Sequence, residues 1–170
     1  MTVRKATVKD VDRIHFLVNG AAESGAVLHR SKDEIYESIR DFFVFESGGE
    51  IRGTVALHVT IQNLAEIRSL VVEPAQDRKG IGTRLVRSCM KEAESLQVET
   101  VFVLTYVPEF FIRFSFSITD KDRFPHKIWL DCSKCQKFLD CDETALIYTL
   151  ARKESEEPVN PPKKVRRVQV

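Results

Sequence analysis

Residues 65–86 constrain this chain more than any other stretch. A run that ends Leu70-Val71-Val72 and is closed by Pro74 reads as a buried strand. A polar loop, Gln76-Asp77-Arg78-Lys79, leads from it to Gly80-Ile81-Gly82-Thr83. An amphipathic helix begins near Gly80, because Ile81, Leu85, Val86, Cys89, Met90, Ala93 and Leu96 recur at three- and four-residue spacing. A strand feeding a glycine-bearing loop onto a helix N-terminus is a place to hold phosphate. The first helical turn has N–H groups without helical partners, the helix dipole favours anions, and glycine lets a ligand approach the backbone. The glycine spacing fits neither a dinucleotide Gly-x-Gly-x-x-Gly loop nor a Walker loop, since no Gly-Lys-Ser/Thr follows.

The rest of the chain supplies a sheet for that strand. Val3 to Ala6 reads as a first strand, and Thr7 to Asp10 opens a helix with apolar positions Val11, Ile14, Phe16, Leu17 and Val18. Ser31 to Glu34 has the capping-box pattern, and Ile35, Ile39 and Phe42 follow it as a second short helix. Residues 42–46 and 51–60 form two strands around the turn Ser47-Gly48-Gly49-Glu50, and Asn63-Leu64 turns the chain into the central strand, 65–72. After the helix of residues 80–96 come a strand at 100–106, a short helix opened by Pro108, an extended piece at 116–118 and a last strand at 145–150. The order β-α-α-β-β-β-α-β-α-β-β predicts an α/β fold, a mixed sheet with helices on its faces.

A chain of 170 residues is one domain's worth. We expect that domain over residues 1–150 and a disordered charged tail over 151–170, where three prolines and the run Lys163-Lys164-Val165-Arg166-Arg167 replace any apolar periodicity. The net charge of +1 gives no global pull toward nucleic acid or membrane. No stretch of about eighteen apolar residues and no signal-peptide core is present, so the expected setting is cytoplasmic, with reduced cysteines.

With its Pro74, basic loop and Gly80-Ile81-Gly82, the central unit resembles the acetyl-CoA pyrophosphate loop of the GNAT-type N-acetyltransferases. Three segments narrow the resemblance. Ala65-Glu66-Ile67-Arg68-Ser69-Leu70-Val71-Val72 is similar to the Glu-Ile-Arg strand of the acetyltransferase domain of N-acetylglutamate synthases, Val101 to Phe111 to their strand-to-helix segment with paired phenylalanines, and Leu28-His29-Arg30-Ser31 to a Leu-x-Arg-Ser stretch before their second helix. The chain is too short for the kinase domain of the longer synthases and resembles their short bacterial form. Three positions depart from the family pattern: Asp77 stands where Arg or Gln is usual, Phe111 where many members carry Tyr, and Ser115 where Gly precedes Phe.

The resemblance implies an acetyl-CoA-dependent N-acetyltransferase that acetylates the α-amine of L-glutamate for arginine biosynthesis. It places the acetyl and pantetheine groups along Leu70, Val71 and Val72, and the pyrophosphate on Gln76, Asp77, Arg78, Lys79, Gly80, Ile81, Gly82 and Thr83. Glu66 is the implied base, acting through a water, with Thr105 near the cofactor sulfur and Tyr106 a second hydroxyl donor. A departing thiolate, with a thiol pKa of about 8.5, does not require a strong acid. A glutamate acceptor needs cations for its carboxylates, and Arg30 is the first choice, with Arg68 and Lys127 behind it. A homodimer is left open.

Cys132-x2-Cys135-x5-Cys141 is not accounted for by that reading. Three thiols this close could hold zinc, with His126 or an aspartate as fourth ligand, or could serve redox chemistry, or could pack a loop. Two further alternatives stay open: an acceptor other than glutamate (another amino acid, a polyamine or a protein N-terminus), and a non-catalytic acyl-CoA-binding or metal-sensing module.

Overall fold

In the computed structural model the described residues are 1–60, 63–76, 79–124, 133, 135 and 140–150. Asp77, Arg78, Lys127, Cys132 and the tail from residue 151 onward, all named above, lie outside them. The strands are β1 (Thr2–Lys5), β2 (Phe42–Ser47), β3 (Glu50–Val59), β4 (Leu64–Val72), β5 (Thr100–Thr105), β6 (Ser117–Thr119) and β7 (Thr144–Thr149). The helices are α1 (Val11–Ala22), α2 (Lys32–Glu37), α3 (Ile81–Ser95) and α4 (Pro108–Ile112). They follow the order expected from the sequence.

The strands form one mixed sheet in the order β1-β2-β3-β4-β5-β7-β6. Among the described residues only the central pair, β4 and β5, is parallel; the other pairings are antiparallel. Parallel neighbours need a crossover, and α3 is that crossover. Its apolar positions Ile81, Leu85, Val86, Cys89 and Ala93 are all buried on one face of the sheet, against Phe43, Phe45, Val55, Leu57 and Ile67 among others. On the other face Val11, Ile14, Leu17 and Val18 of α1 pack with Ile35, Phe42, Val44 and Ala56. Burial raises the pKa of the Cys89 thiol far above its ordinary value, so this cysteine is a core residue.

The second helix is shorter than its apolar spacing suggests. The Ser38 hydroxyl donates back to the Glu34 carbonyl at 2.6 Å and ends α2. Ile39 to Asp41 then form a single 3₁₀ turn, and Phe42 begins β2.

The entry to α1 is fixed by charge. Asp10, nearly buried, accepts two hydrogen bonds from Arg4 at 2.7 and 3.0 Å, and others from the Thr7 N–H and hydroxyl at 2.7 and 3.0 Å. The Arg4 bond is the main reason the Asp10 carboxyl titrates below its usual value. A group with a depressed folded pKa stabilises the fold above its unfolded pKa, and that contribution fades as pH falls through the folded value. We therefore expect Asp10→Asn to lower stability to urea at neutral pH. The deficit relative to wild type should shrink as pH drops below the ordinary carboxylate value of about 3.9. A deficit that is constant from pH 7 to the acid limit of folding would show that charge is not what Asp10 contributes.

Candidate active site

The central strand carries a break in its register that decides where its groups point. Thr54 pairs with Val71 and Ala56 with Arg68, so Ser69 and Leu70 together face the single residue Val55. Ser69 takes a left-handed backbone, φ 53°, at the bulge. A left-handed serine costs roughly 1–2 kcal/mol, which the two packed layers offset. The bulge also shifts the strand's phase. Ala65 and Ile67 before it, and Leu70 and Val72 after it, all join the core on the α3 side, while Val71 joins the α1 side.

Beside this bulge the sheet forks. β4 and β5 pair only at Leu64–Thr100, Ala65–Val101 and Glu66–Phe102, although both strands run further. Beyond Glu66 the β5-facing edge of β4, over Leu70 to Val72, has no strand across from it among the described residues. Backbone groups on such an edge are available to a ligand.

The loop after β4 leads to α3. Glu73 is clamped by Arg13 at 2.8 Å and Arg52 at 2.7 Å, and its N–H donates to the Arg52 carbonyl at 2.8 Å. Arg52, then Arg13, hold its carboxyl below the usual range, so a negative charge at the start of this loop is matched by two guanidinium groups. Lys79 donates to the Gln76 side chain at 2.9 Å. Gly80 caps α3 with φ 73°, a conformation that favours glycine, and the space where its Cβ would stand is open. Gly82, in the first turn, faces Phe110 of α4, and a Cβ there would lie 3.4 Å from the ring. Among the described residues, a glycine-capped helix terminus thus lies next to a stretch of unpaired strand edge, an arrangement that can hold a phosphate group.

A cleft of about 220 Å³ opens on the α1 side of the sheet, with Arg30, Glu66, Arg68 and Leu104 in its lining and Lys121 and Glu143 contributed from beyond β6 and before β7. Of the residues singled out from the sequence, it brings together Glu66, Arg30 and Arg68. Glu66 is 3% exposed, on the last paired position of the fork. Arg30 is held through its backbone: its N–H donates to Asn19 Oδ1 at 2.9 Å, and Asn19 Nδ2 donates to its carbonyl at 2.8 Å. Next to it, Ser31 and Glu34 exchange the two capping-box bonds that start α2. The Arg30 backbone is therefore held from both sides in the chain.

Thr105 and Tyr106 are not in the cleft lining. Thr105, at the end of β5, is buried and accepts the Val107 N–H at 3.1 Å, which closes the turn into α4. Strand alternation puts it on the opposite face from Leu104. Tyr106 follows the strand and is 38% exposed.

Cys135 and Cys141 line the cleft, with the Cys141 sulfur 3.8 Å from Glu143 and its carbonyl accepting from Lys121 at 2.7 Å. Among the described residues no three metal-binding side chains cluster. Lys121, Asp122 and Glu143 of this cleft were not identified from the sequence. No local motif marks them; they arrive by tertiary folding from segments far from β4.

Comparison with known proteins bears on the family and the fold. The model of the acetyltransferase (GNAT) family matches residues 13–111. An uncharacterized N-acetyltransferase of Chlorobaculum tepidum is 41% identical over 148 residues, 87% of this chain and 96% of that protein. An amino-acid acetyltransferase of Mycobacterium tuberculosis is 38% identical over 118 residues, 68% of this chain and 67% of that protein. Among solved structures, one from Mycobacterium tuberculosis in complex with CoA and NLQ superposes with a TM-score of 0.76 at 30% identity, covering 89% of this chain and all of that one. N-acetylglutamate synthase from Neisseria gonorrhoeae, complexed with coenzyme A and N-acetyl-glutamate, gives a TM-score of 0.78 at 25% identity; the match covers 89% of this chain but only 35% of that longer one.

Proposed function

We infer the reaction from one premise: the chain belongs to the acetyltransferase (GNAT) family, and it is an acetyl-CoA-dependent N-acetyltransferase. We propose that its acceptor is an amino acid, L-glutamate first, and that residues 1–150 are the transferase unit. The observation that carries the acceptor reading is the cleft itself, where a nearly buried carboxylate, Glu66, shares the lining with Arg30 and Arg68. An α-amino acid presents an ammonium and a carboxylate on one carbon, and this set of groups can address both. The relatives named amino-acid acetyltransferase support the same class.

On this reading acetyl-CoA supplies an activated acetyl group as a thioester. Glu66 takes a proton from the acceptor's ammonium through a water, leaving a nucleophilic amine. Arg30 and Arg68 orient the acceptor by its carboxylates. N–H groups on the free edge of β4, over Leu70 to Val72, are aimed where negative charge develops on the carbonyl oxygen, a contribution of about 3 kcal/mol for one well-placed donor. The departing sulfur takes the second proton of the acceptor nitrogen and leaves as the thiol, with the Thr105 hydroxyl, or second the Tyr106 hydroxyl, relaying that proton or hydrogen-bonding the sulfur. The N-terminus of α3, opened by Gly80 and Gly82, takes the pyrophosphate, with Gln76, Lys79, Ile81 and Thr83 around it.

We expect Thr83→Asp, in the first turn of α3, to separate binding from folding. A carboxylate in the first turn of a helix is favourable to the fold. The same charge repels a pyrophosphate, and the affinity for acetyl-CoA should fall about tenfold or more, a change of at least about 1.4 kcal/mol. Calorimetric titration beside a melting curve checks this; unchanged affinity with an unchanged melting temperature would remove the loop from the binding site.

A different acceptor is favoured by one specific observation: Asp122 and Glu143 also line the cleft. These acids suit an amino acid with a neutral or cationic side chain better than one with a second carboxylate. Free CoA, measured colorimetrically with acetyl-CoA and each amino acid in turn, decides between them. Release with glutamate alone supports the first reading; release with another amine replaces the acceptor and leaves the mechanism; silence throughout, with acetyl-CoA binding intact, favours a binding module. We place the reaction in the cytoplasm, where acetyl-CoA and free amino acids meet. In support, among the described residues no helix is long and apolar enough to cross a membrane.

A further inference from the structure

A carboxylate that takes a proton at each turnover must also lose it, and Glu66 is 3% exposed. The neighbouring strand offers a group that can accept it. His58 of β3 is the direct antiparallel partner of Glu66. Directly opposed residues of antiparallel strands project from the same face, with Cβ atoms about 4.5–5.5 Å apart. The His58 Nδ1 lies 2.7 Å from Asp41 Oδ2, in the 3₁₀ turn just before β2. A carboxylate at that distance accepts a hydrogen bond from Nδ1–H, which leaves Nε2 as the acceptor of the neutral ring. The His58 side chain is 35% exposed and that of Asp41 26% exposed, so the pair also reaches solvent.

We propose that the Asp41–His58 pair is the proton exit of Glu66. This rests on the reading of Glu66 as the base. One proton leaves the acceptor's ammonium nitrogen for the Glu66 carboxylate, moves from there to His58 Nε2, and passes from the imidazolium to bulk water. Asp41 keeps its charge throughout and is a positioning residue: it fixes the ring and offsets the transient positive charge. Among the described residues, the charged groups around the pathway are Asp41 from the turn, Glu66 and diagonally Arg68 from β4, and Arg30, Lys121, Asp122 and Glu143 from the cleft lining. The guanidinium groups oppose a second positive charge on the cleft side, which drives the proton outward to solvent.

The test uses the full-length chain with acetyl-CoA and L-glutamate, or whichever amino acid releases CoA fastest. His58→Gln should lower kcat about 10- to 100-fold, below the full range for a lost acid–base group because slow direct exchange remains. The KM for acetyl-CoA should stay unchanged, which also shows that the variant is folded. Added imidazole should restore a large part of kcat in His58→Gln and none in Glu66→Gln; a merely structural histidine would give no such rescue. Asp41→Asn should lower kcat less than His58→Gln. Wild-type kcat in His58→Gln, or loss without imidazole rescue, overturns the relay while leaving Glu66 as base. Wild-type turnover in Glu66→Gln overturns the base assignment and the relay with it, as does silence with every amino acid.

Discussion

Glu66→Gln is expected to lower kcat by about 10²–10⁴-fold, the range for a positioned acid–base group, and to leave the affinity for acetyl-CoA within about twofold of wild type. The substitution is nearly isosteric. It keeps the side chain at the last paired position of the fork but removes its ability to take a proton. A structural role predicts something else: loss of stability with a modest change in kcat. The two are separated by measuring kcat, the KM of each substrate and the melting temperature on the same preparation. If turnover in Glu66→Gln equals wild type between pH 7 and 9, deprotonation of the acceptor does not pass through this residue. If kcat falls together with acetyl-CoA affinity, Glu66 holds the fork together and is not the base.

Gly53→Val is expected to be the most damaging single change to the fold, at about 3 kcal/mol, the upper part of the usual range for overpacking. Gly53 sits in β3 under the N-terminal half of α3. A Cβ there would lie 3.1 Å from the Val71 carbonyl oxygen, 3.2 Å from Ile81 Cγ2 and 3.2 Å from Leu85 Cδ1. Side-chain ends can move aside, but a strand carbonyl in the sheet ladder cannot, so the helix must lift. For a chain of this size about 3 kcal/mol corresponds to roughly 6–12 °C in melting temperature. The lift is at Ile81, the first residue of α3, so acetyl-CoA affinity should fall with stability, and Gly53→Ala should show both effects on a smaller scale. A destabilised Gly53→Val with unaltered acetyl-CoA affinity would separate the seat of α3 from the placement of its N-terminus.

The parts that carry their own local signal were legible in the sequence. The period of Ile81, Leu85, Val86, Cys89 and Ala93 specifies a helix with one buried face wherever it lies, beginning near Gly80. The strand closed by Pro74 and the Ser31–Glu34 capping box are legible for the same reason. The apolar spacing of Ile35, Ile39 and Phe42 was misleading, because the Ser38 hydroxyl competes for a helix carbonyl and periodicity does not register it. Ser69 gives no sign of its left-handed backbone, since serine has no special tolerance for it and the surrounding sheet imposes it. Alternation counted along β4 therefore assigns the residues after the bulge to the wrong layer. The role of Gly53 is invisible for a related reason: it occupies no turn, and only the approach of α3 explains it.

The site was legible in half. Arg30 and Glu66 are 36 positions apart and their pairing in one cleft was expected from resemblance alone. Lys121, Glu143 and the two cysteines reach the same cleft through contacts that no local pattern encodes. His58 carries no local signal either; its proposed role depends on two partners, Asp41 and Glu66, that the folded sheet brings beside it.

The fork between β4 and β5 has a consequence for how the molecule fares before its substrate arrives. An open sheet normally presents two outer margins, and proteins guard those against stray strands with charge, twist or cover. Here the two central strands diverge, so the sheet carries a second pair of margins in its interior, bordered by the apolar residues Leu70 to Val72. On the proposed reading the thioester's amide-bearing arm lies along one of them and acts as a removable strand. Substrate supply then doubles as protection: cells short of acetyl-CoA would hold this protein in its stickiest form, and purification in its presence would yield the better-behaved solution.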